Sequence, residues 1–176
     1  MPLIGPLPIM SVPSSSSSSS SASHPRKSRY DIVLSFAAGT HKNFTDDLYS
    51  ALERERIHTF RDDEGGEDSA SELLGTSIKG SWGSIIIISE EYVFSGRCLD
   101  ELVEIMNHRE KWGRVYPIFY YNVDPSDLTH QRNNIEEAFE QHEMRYNRAK
   151  TQTWRLALKQ VAEIRSRWAF RDYADE

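Results

Sequence analysis

Apolar residues along the chain alternate between strand patterns and helical patterns. Compact apolar runs predict strands at residues 30–36, 57–60, 85–88 and 115–120. Between and after them, apolar residues recur three and four positions apart, as the buried stripe of an amphipathic helix does. Strands spaced roughly 25 to 30 residues apart, with helices between them, predict an α/β fold with a doubly wound parallel sheet.

Two features of the strand patterns predict positions in the sheet. Four consecutive isoleucines run from Ile85 to Ile88. A strand with one wet face would alternate polar and apolar residues, so this run predicts a central strand that is buried on both faces. Pro117 lacks the N–H that an inner ladder needs, which predicts that the fourth strand is interrupted or near an edge.

Helices are predicted at about residues 44–52, 72–78, 98–111, 135–146 and 154–164. In the first, Thr45 is the expected cap, with Asp46 and Asp47 in the first turn, where carboxylates are favoured. The second is weak, because Gly75 and Gly80 disfavour a helix. In the third, Glu101 is expected near the helix start. This places its carboxylate at the carboxyl edge of the sheet, where open α/β sheets bind ligands.

The first 27 residues have a different composition from the rest. They contain four prolines before position 14 and an unbroken serine run at residues 14–21. Such a segment cannot bury apolar surface, so it predicts a disordered leader. The alternative is a plastid transit peptide, since no acidic residue precedes Asp31. We expect a folded domain at residues 28–172 and a short tail at residues 173–176.

Composition narrows the classes of function. A net charge of −6 gives no indication of a nucleic-acid partner. No apolar stretch approaches the roughly 18 residues that span a bilayer, so no membrane partner is expected. The lone cysteine, Cys98, is interpreted as a small buried apolar residue, and it favours a reducing compartment. We therefore expect a cytoplasmic or nucleocytoplasmic protein.

The usual motifs of metal and phosphate chemistry are not apparent in the sequence. The six histidines lack ligand-like spacing, so no metal site is predicted. There is also no Gly-rich phosphate loop of either common pattern, which argues against ATP hydrolysis and Rossmann-type cofactor binding. The four tryptophans are predicted to pack in the core or at its rim. They are Trp82, Trp112, Trp154 and Trp168.

Seven short segments, in order, resemble a plant-type TIR (Toll/interleukin-1 receptor) domain over residues 29–168. They are YDIVLSF from Tyr30, NFTDDLY from Asn43, IHTFRDD from Ile57, SEEY from Ser89, CLDEL from Cys98, PIFY from Pro117 and VDPSD from Val123. The resemblance implies a flavodoxin-like sheet of about five parallel strands with helices on both faces. It also implies plant defence signalling through homotypic or heterotypic TIR–TIR association and, in many members, cleavage of NAD⁺. A nucleotide-binding module and leucine-rich repeats usually follow such a domain, so a TIR-only protein or a truncated receptor is expected.

The same resemblance implies a set of site residues. The family's catalytic glutamate corresponds to Glu101, with NAD⁺ as substrate and no cofactor. Substrate contacts are expected at Phe36, Ala37, Ala38, Gly39, Ser95 and Arg97. The nicotinamide–ribose bond breaks through an oxocarbenium-like transition state, which a nearby carboxylate stabilises. From the residues alone, the alternative is an ordinary glutamate that favours a helix N-terminus.

The chain departs from the family pattern at several of these positions. The usual Arg-Gly-acid loop is replaced by Ala-Ala-Gly-Thr-His at residues 37–41, which carries no arginine for a pyrophosphate. Arg97 occupies the position of a family tryptophan, and residues 64–71 form an acidic, glycine-bearing loop. Asp46 and Asp47 replace a Ser-His pair, and facing carboxylates would repel across a symmetric contact.

Two hypotheses of different classes follow from these patterns. Retention of Glu101 favours an enzyme, an NAD⁺ nucleosidase whose products act as an immune signal. The altered loop at residues 37–41 and Arg97 favour a binding module, a catalytically weak TIR domain that recruits or regulates other TIR domains.

Overall fold

Five parallel strands form one sheet in the order β2-β1-β3-β4-β5. The computed structural model describes residues 30–39, 42–61, 69–109, 114–120, 123–164 and 168–170. The strands are β1 (Ile32–Ser35), β2 (Thr59–Arg61), β3 (Gly83–Ile88), β4 (Arg114–Tyr120) and β5 (Trp168–Phe170). The helices are α1 (Lys42–Arg54), α2 (Ser69–Gly80), α3 (Glu90–Phe94), α4 (Gly96–Arg109), α5 (Pro125–His130), α6 (Asn134–Arg145) and α7 (Arg148–Ala162). The flavodoxin-like arrangement expected from the sequence is confirmed.

The isoleucine strand occupies the middle of the sheet. β3 pairs with β1 on one side and with β4 on the other, in parallel register. Its residues alternate between two apolar clusters, with Ile86 and Ile88 in the larger and Ile87 in the smaller. The prediction of a central strand that is buried on both faces is therefore confirmed.

Helices cover both faces of the sheet. On one face, α2, α3, α4, α6 and α7 contribute apolar side chains to the larger cluster. On the other face, Phe44 and Leu48 of α1 pack on the smaller cluster around Leu34 and Tyr120. The larger cluster contains far more buried residues than the smaller one. Most of the core therefore lies on the face that carries α4.

Pro117 lies on β4, the strand next to the edge strand β5, so the prediction of a position near an edge is confirmed. β4 pairs with β3 along its length, whereas its described pairing with β5 covers only Ile118 to Tyr120. Among the described residues, the pairing of β4 with β5 therefore begins one position after Pro117.

The first helix begins earlier than predicted, and its expected cap is wrong. Thr45 lies inside α1 and is buried, and the first turn holds no acidic residue. Asp46 instead pairs with Arg61 of β2, with Nη1 and Oδ1 2.6 Å apart. The two aspartates therefore do not serve the helix N-terminus. β2 is also displaced from its prediction, since it begins at Thr59.

The glycine-bearing helix α2 is longer than predicted. It runs from Ser69 to Gly80 and includes both glycines. At Gly75 the chain passes close to α4, and an added Cβ would lie 3.1 Å from Oε1 of Glu104. A Cβ at this position would require the Glu104 carboxylate to move by a few tenths of an ångström.

Two short helices, α3 and α5, were not anticipated, because five or six residues are too few to show a helical period. The last helix, α7, begins at Arg148, six residues before its predicted start. Asn147 caps it, with its Oδ1 accepting a hydrogen bond from the amide of Lys150. α4 similarly begins at Gly96, two residues before its prediction.

The tryptophans do not share one environment. Trp154 is 1 % exposed, which confirms core packing, whereas the side chain of Trp82 is 73 % exposed, so the packing interpretation is wrong there. Only the backbone of Trp82 joins elements, donating to the carbonyl of Asp31 and accepting from the amide of Arg114. Trp112 lies outside the described residues, as do the leader, the acidic loop through residue 68 and the tail. Among the described residues, no helix has both the length and the apolar character to cross a membrane.

Candidate functional site

The candidate site lies where β1 and β3, two neighbouring strands, reach the carboxyl edge of the sheet. β1 ends at Ser35, which is in register with Ile86 of β3. The loop Phe36–Gly39 follows β1, and Ser89 follows β3. Side chains from two chain segments far apart in sequence therefore meet at one edge, as ligand sites of open α/β sheets do.

Ser89 and Ser95 cap the starts of the two helices that follow β3. Ser89 caps α3, with its Oγ accepting a hydrogen bond from the amide of Tyr92 at 3.2 Å. Ser95 ends α3 and precedes α4, and its Oγ accepts from the amide of Cys98 at 3.3 Å. Each hydroxyl satisfies an amide that the helix start would otherwise leave unpaired. The hydroxyl of Ser95, an expected substrate contact, is thus used in capping.

Glu101 is the sixth residue of α4 and is only 9 % exposed. It therefore lies beyond the first turn, and no acidic residue occupies that turn. The macrodipole acts mainly within the first turn, so it does not account for a carboxylate at this position. A carboxylate that is nine-tenths buried in a mainly apolar helix face requires another explanation, structural or functional.

A buried hydroxyl pair lies next to this carboxylate. The Tyr92 Oη and the Ser35 Oγ are 2.8 Å apart, and both residues are fully buried. Burial raises the pKa of Tyr92 well above its ordinary value, and the charge of Glu101 and the Cys98 thiol raise it further, opposed by the Ser35 hydrogen bond. Tyr92 therefore stays neutral and keeps its proton.

Cys98 links α4 to the loop after β1. Its Sγ donates a weak hydrogen bond to the carbonyl of Phe36 at 3.8 Å, one helical turn before Glu101. Burial raises its pKa from 9.0 to about 11, with Ser95 opposing and the Glu101 charge adding to the shift. The thiol is therefore a neutral, unreactive group, as the interpretation of a buried apolar residue expects.

The four loop residues expected to contact substrate differ in exposure. Phe36 is half-buried and packs on the smaller cluster, and Ala37 belongs to the larger one. Ala38 and Gly39 are exposed. The backbone at Gly39 is close to α3, since an added Cβ there would lie 3.3 Å from Cγ of Glu91.

The structure thus places Phe36 next to Cys98 and Gly39 next to Glu91, with both pairs at the same edge of the sheet. Arg97 lies at the second position of α4 and is exposed. Ser35 and Tyr92 belong to the same constellation but were missed as site residues. The only sequence signal for them was that Tyr92 closes the SEEY segment and Ser35 lies in YDIVLSF.

Packing from the last two helices holds the start of α4 in place. Nε1 of Trp154 donates to Oδ1 of Asp100 at 2.9 Å, and Nζ of Lys150 pairs with the other carboxylate oxygen. The buried ring of His142 contacts the carbonyl of Val93 at 2.9 Å through Nε2. Gly96 is enclosed so tightly that a Cβ would lie 2.8 Å from the hydroxyl of Tyr146. The helix carrying Glu101 therefore starts from a firmly packed point.

A separate pocket of about 150 Å³ lies between α3, α5 and the start of α6. Its lining residues are Glu90, Val93, Phe94, Val123, Asp124, Asp127, Asn133, Asn134 and Ile135. It does not include Glu101, and its carboxylates make it a poor place for an anionic dinucleotide. The Glu101 edge remains the candidate site.

Comparisons with known proteins agree with this architecture. The TIR domain family profile matches residues 29–176. Disease resistance protein RPV1 of Vitis rotundifolia is 47% identical over 161 residues, covering 89% of this chain and 11% of that protein. TMV resistance protein N of Nicotiana glutinosa is 40% identical over 162 residues, covering 88% of this chain and 14% of that protein. The chain therefore spans about a tenth of the length of these relatives.

A solved structure with the same fold comes from an activated resistosome. The TIR domains of the activated Roq1 resistosome, which directly recognises the pathogen effector XopQ, match with a TM-score of 0.71 and 35% identity. The match covers 78% of this chain and 86% of that chain. With the profile match and the shared fold, these findings establish the family: the chain belongs to the TIR domain family.

Proposed function

We propose that this chain is a signalling TIR domain of plant disease resistance that cleaves NAD⁺ with Glu101. The signalling role is supported by its relatives, which are disease resistance proteins, and by its likeness to the TIR domains of a resistosome. The catalytic role is supported by the geometry around one carboxylate.

The observation that carries the catalytic proposal is the placement of Glu101. It is buried, lies beyond the first turn of α4 and faces a Tyr92 whose pKa its charge raises. A buried carboxylate close to a tyrosine whose pKa is strongly raised is typical of the groups that concentrate at functional sites. Cys98, one helical turn before Glu101, contacts Phe36 just after the carboxyl end of β1, and this edge is where open α/β sheets bind ligands.

The chemistry needs one carboxylate and a water molecule. As the bond between the ribose C1′ and the nicotinamide nitrogen breaks, its electron pair leaves with nicotinamide, which becomes neutral. Positive charge then develops on the ribose, and Glu101 stabilises this oxocarbenium-like state electrostatically. Water adds to C1′ and releases a proton, which gives ADP-ribose. Nicotinamide is a good leaving group, so no partner acid is required.

The second candidate is a binding module that acts by TIR–TIR association, and the exposed loop favours it. Ala38, Gly39 and Arg97 are exposed, and the first two carry no charge for a pyrophosphate. On α1, the carboxylate of Asp46 is paired with Arg61, which reduces the repulsion expected between two copies of this face. Both homotypic and heterotypic association are therefore part of this alternative.

One experiment separates the two candidates. NAD⁺ consumption and nicotinamide release are measured with the purified chain at high concentration, beside a Glu101→Gln variant that keeps the shape and removes the charge. Glu104→Gln is the matched control, because Glu104 lies on the same helix and pairs with Lys79 at 3.0 Å. We expect wild type and Glu104→Gln to release nicotinamide and Glu101→Gln to lose at least 100-fold in rate, on the order of a lost electrostatic stabiliser.

The contrary outcome is equally clear. If all three proteins are silent while a TIR enzyme of known activity works in the same assay, the enzymatic proposal is rejected. Light scattering of the same samples then tests the binding module, which requires self-association or capture of another TIR domain.

A further inference from the structure

We propose that Tyr92 is a positioning residue: its hydrogen bond to Ser35 holds the end of β1, and with it the loop Phe36–Gly39, at a fixed distance from Glu101. This inference rests on the proposed cleavage of NAD⁺ and names the groups that align the two sides of that site.

The geometry of the pair supports a positioning role. The two hydroxyls lie 2.8 Å apart and are fully buried, so water cannot replace either partner. Ser35 is the last residue of β1, and Tyr92 lies in the middle of α3, 57 positions later. The bond therefore ties the strand that leads into the loop to the helix that leads into α4. Losing one partner would leave a buried hydroxyl unpaired, which is costly.

Two further contacts hold the same loop, but more weakly. The thiol of Cys98 donates to the carbonyl of Phe36 at 3.8 Å, and sulfur is a weak donor. The backbone at Gly39 packs near Glu91, which is a contact without a hydrogen bond. Among these three contacts, only the pair Tyr92–Ser35 is a strong hydrogen bond. It therefore adds a strong side-chain hydrogen bond to the β1–β3 ladder at the residue from which the loop leaves the sheet.

Electrostatics keep this contact intact across the working range of pH. Burial and the charge of Glu101 raise the pKa of Tyr92, so the phenol holds its proton. A neutral phenol next to a carboxylate adds no repulsion to the site. Since catalysis depends steeply on alignment, a shift of the loop by about 1 Å is enough to lower the rate.

The test uses Tyr92→Phe, Ser35→Ala and the double variant, each of which removes the same hydrogen bond. We expect each single variant to lower kcat for NAD⁺ cleavage on the order of tenfold, with a smaller change in KM, because alignment matters most in the transition state. The double variant should be no slower than the slower single variant, since partners in one contact are not additive. Ser77→Ala is the matched control, because the Ser77 hydroxyl donates to the carbonyl of Leu73 within α2.

A second measurement keeps the test independent of the proposed function. Amide order parameters of Ala38 and Gly39 from NMR relaxation should fall in Tyr92→Phe and Ser35→Ala and stay unchanged in Ser77→Ala. If wild type does not cleave NAD⁺, the proposed function fails, and lower order parameters still support the positioning role. Unchanged order parameters, or a kcat within twofold of the Ser77→Ala value in an active enzyme, overturn it.

Discussion

The two sides of the candidate site are built in different ways. The helix side, α3 and α4, contributes Tyr92, Cys98 and Glu101, which are all buried. It is held by Trp154 through Asp100. The loop side, residues 36–39, ends in an exposed Ala38 and Gly39 and carries no charge. The helix side lies in the core, whereas the loop side leaves the core after Ala37 and reaches the surface at Ala38 and Gly39.

Because of this difference, we expect the helix side to matter mainly for the fold and the loop side to matter mainly for the choice of ligand. Tyr92 and Cys98 of the helix side pack in the core, so the fold itself constrains these positions. Exposed loop positions have little effect on stability, so their composition reflects recognition. The altered loop is therefore more informative about substrate than the retained helix is.

Disrupting the packing of the helix side should cause the largest loss of stability. We expect Trp154→Ala to lower the free energy of unfolding by about 3–5 kcal/mol, because a fully buried ring and its hydrogen bond to Asp100 are lost. Trp82→Ala is the control, and its exposed side chain predicts a change within about 0.5 kcal/mol. Chemical denaturation of both variants gives the comparison. A cost below about 1 kcal/mol for Trp154→Ala would contradict the packing described for this side.

The contact between the two sides should respond to alkaline pH. Cys98 has an ordinary pKa of 9.0 that rises to about 11 in the fold. Between these values the unfolded chain loses this proton while the folded chain retains it, so stability is fully present below about pH 9 and falls as pH rises toward 11. Two pKa units correspond to about 2–3 kcal/mol.

Urea denaturation at pH 8, 9, 10 and 11 tests this in wild type and Cys98→Ala. All other titrating groups are common to both proteins, so the difference between their pH slopes reports the removal of the thiol. We expect the Cys98→Ala curve to be flatter over this range. Equal slopes would show that the thiol is not shielded in the fold.

The loop side should change recognition with little effect on stability. Ala38→Arg adds a cation at an exposed position, where we expect it to lower KM for NAD⁺ about fivefold, equivalent to about 1 kcal/mol for a charge-assisted contact to a phosphate. Ala38→Gln is the uncharged control. The gain should disappear at high salt, since exposed charges are screened. This prediction rests on the proposed NAD⁺ cleavage. An unchanged KM in an active enzyme would place the pyrophosphate away from this loop.

Much of the fold could be predicted from the sequence because its signals were local. Four adjacent isoleucines indicate a doubly buried strand wherever they occur, and β3 lies at the centre of the sheet. The helical stripe of α6 was placed within one residue at each end. The start of α1 was misplaced because Thr45 resembles a cap, whereas burial placed it inside the helix. The short helices lacked enough residues for a period to appear.

Local patterns were enough to predict four of the five strands, the five longer helices and the family, because these patterns depend on residues within a few positions of each other. The packing of the folded chain settled which side chains surround Glu101. Ser35 and Tyr92 are 57 positions apart and meet only because β1 and β3 are neighbours in one parallel sheet. It also decided that Trp154 is buried and Trp82 exposed, since burial depends on what packs against a side chain and not on its type.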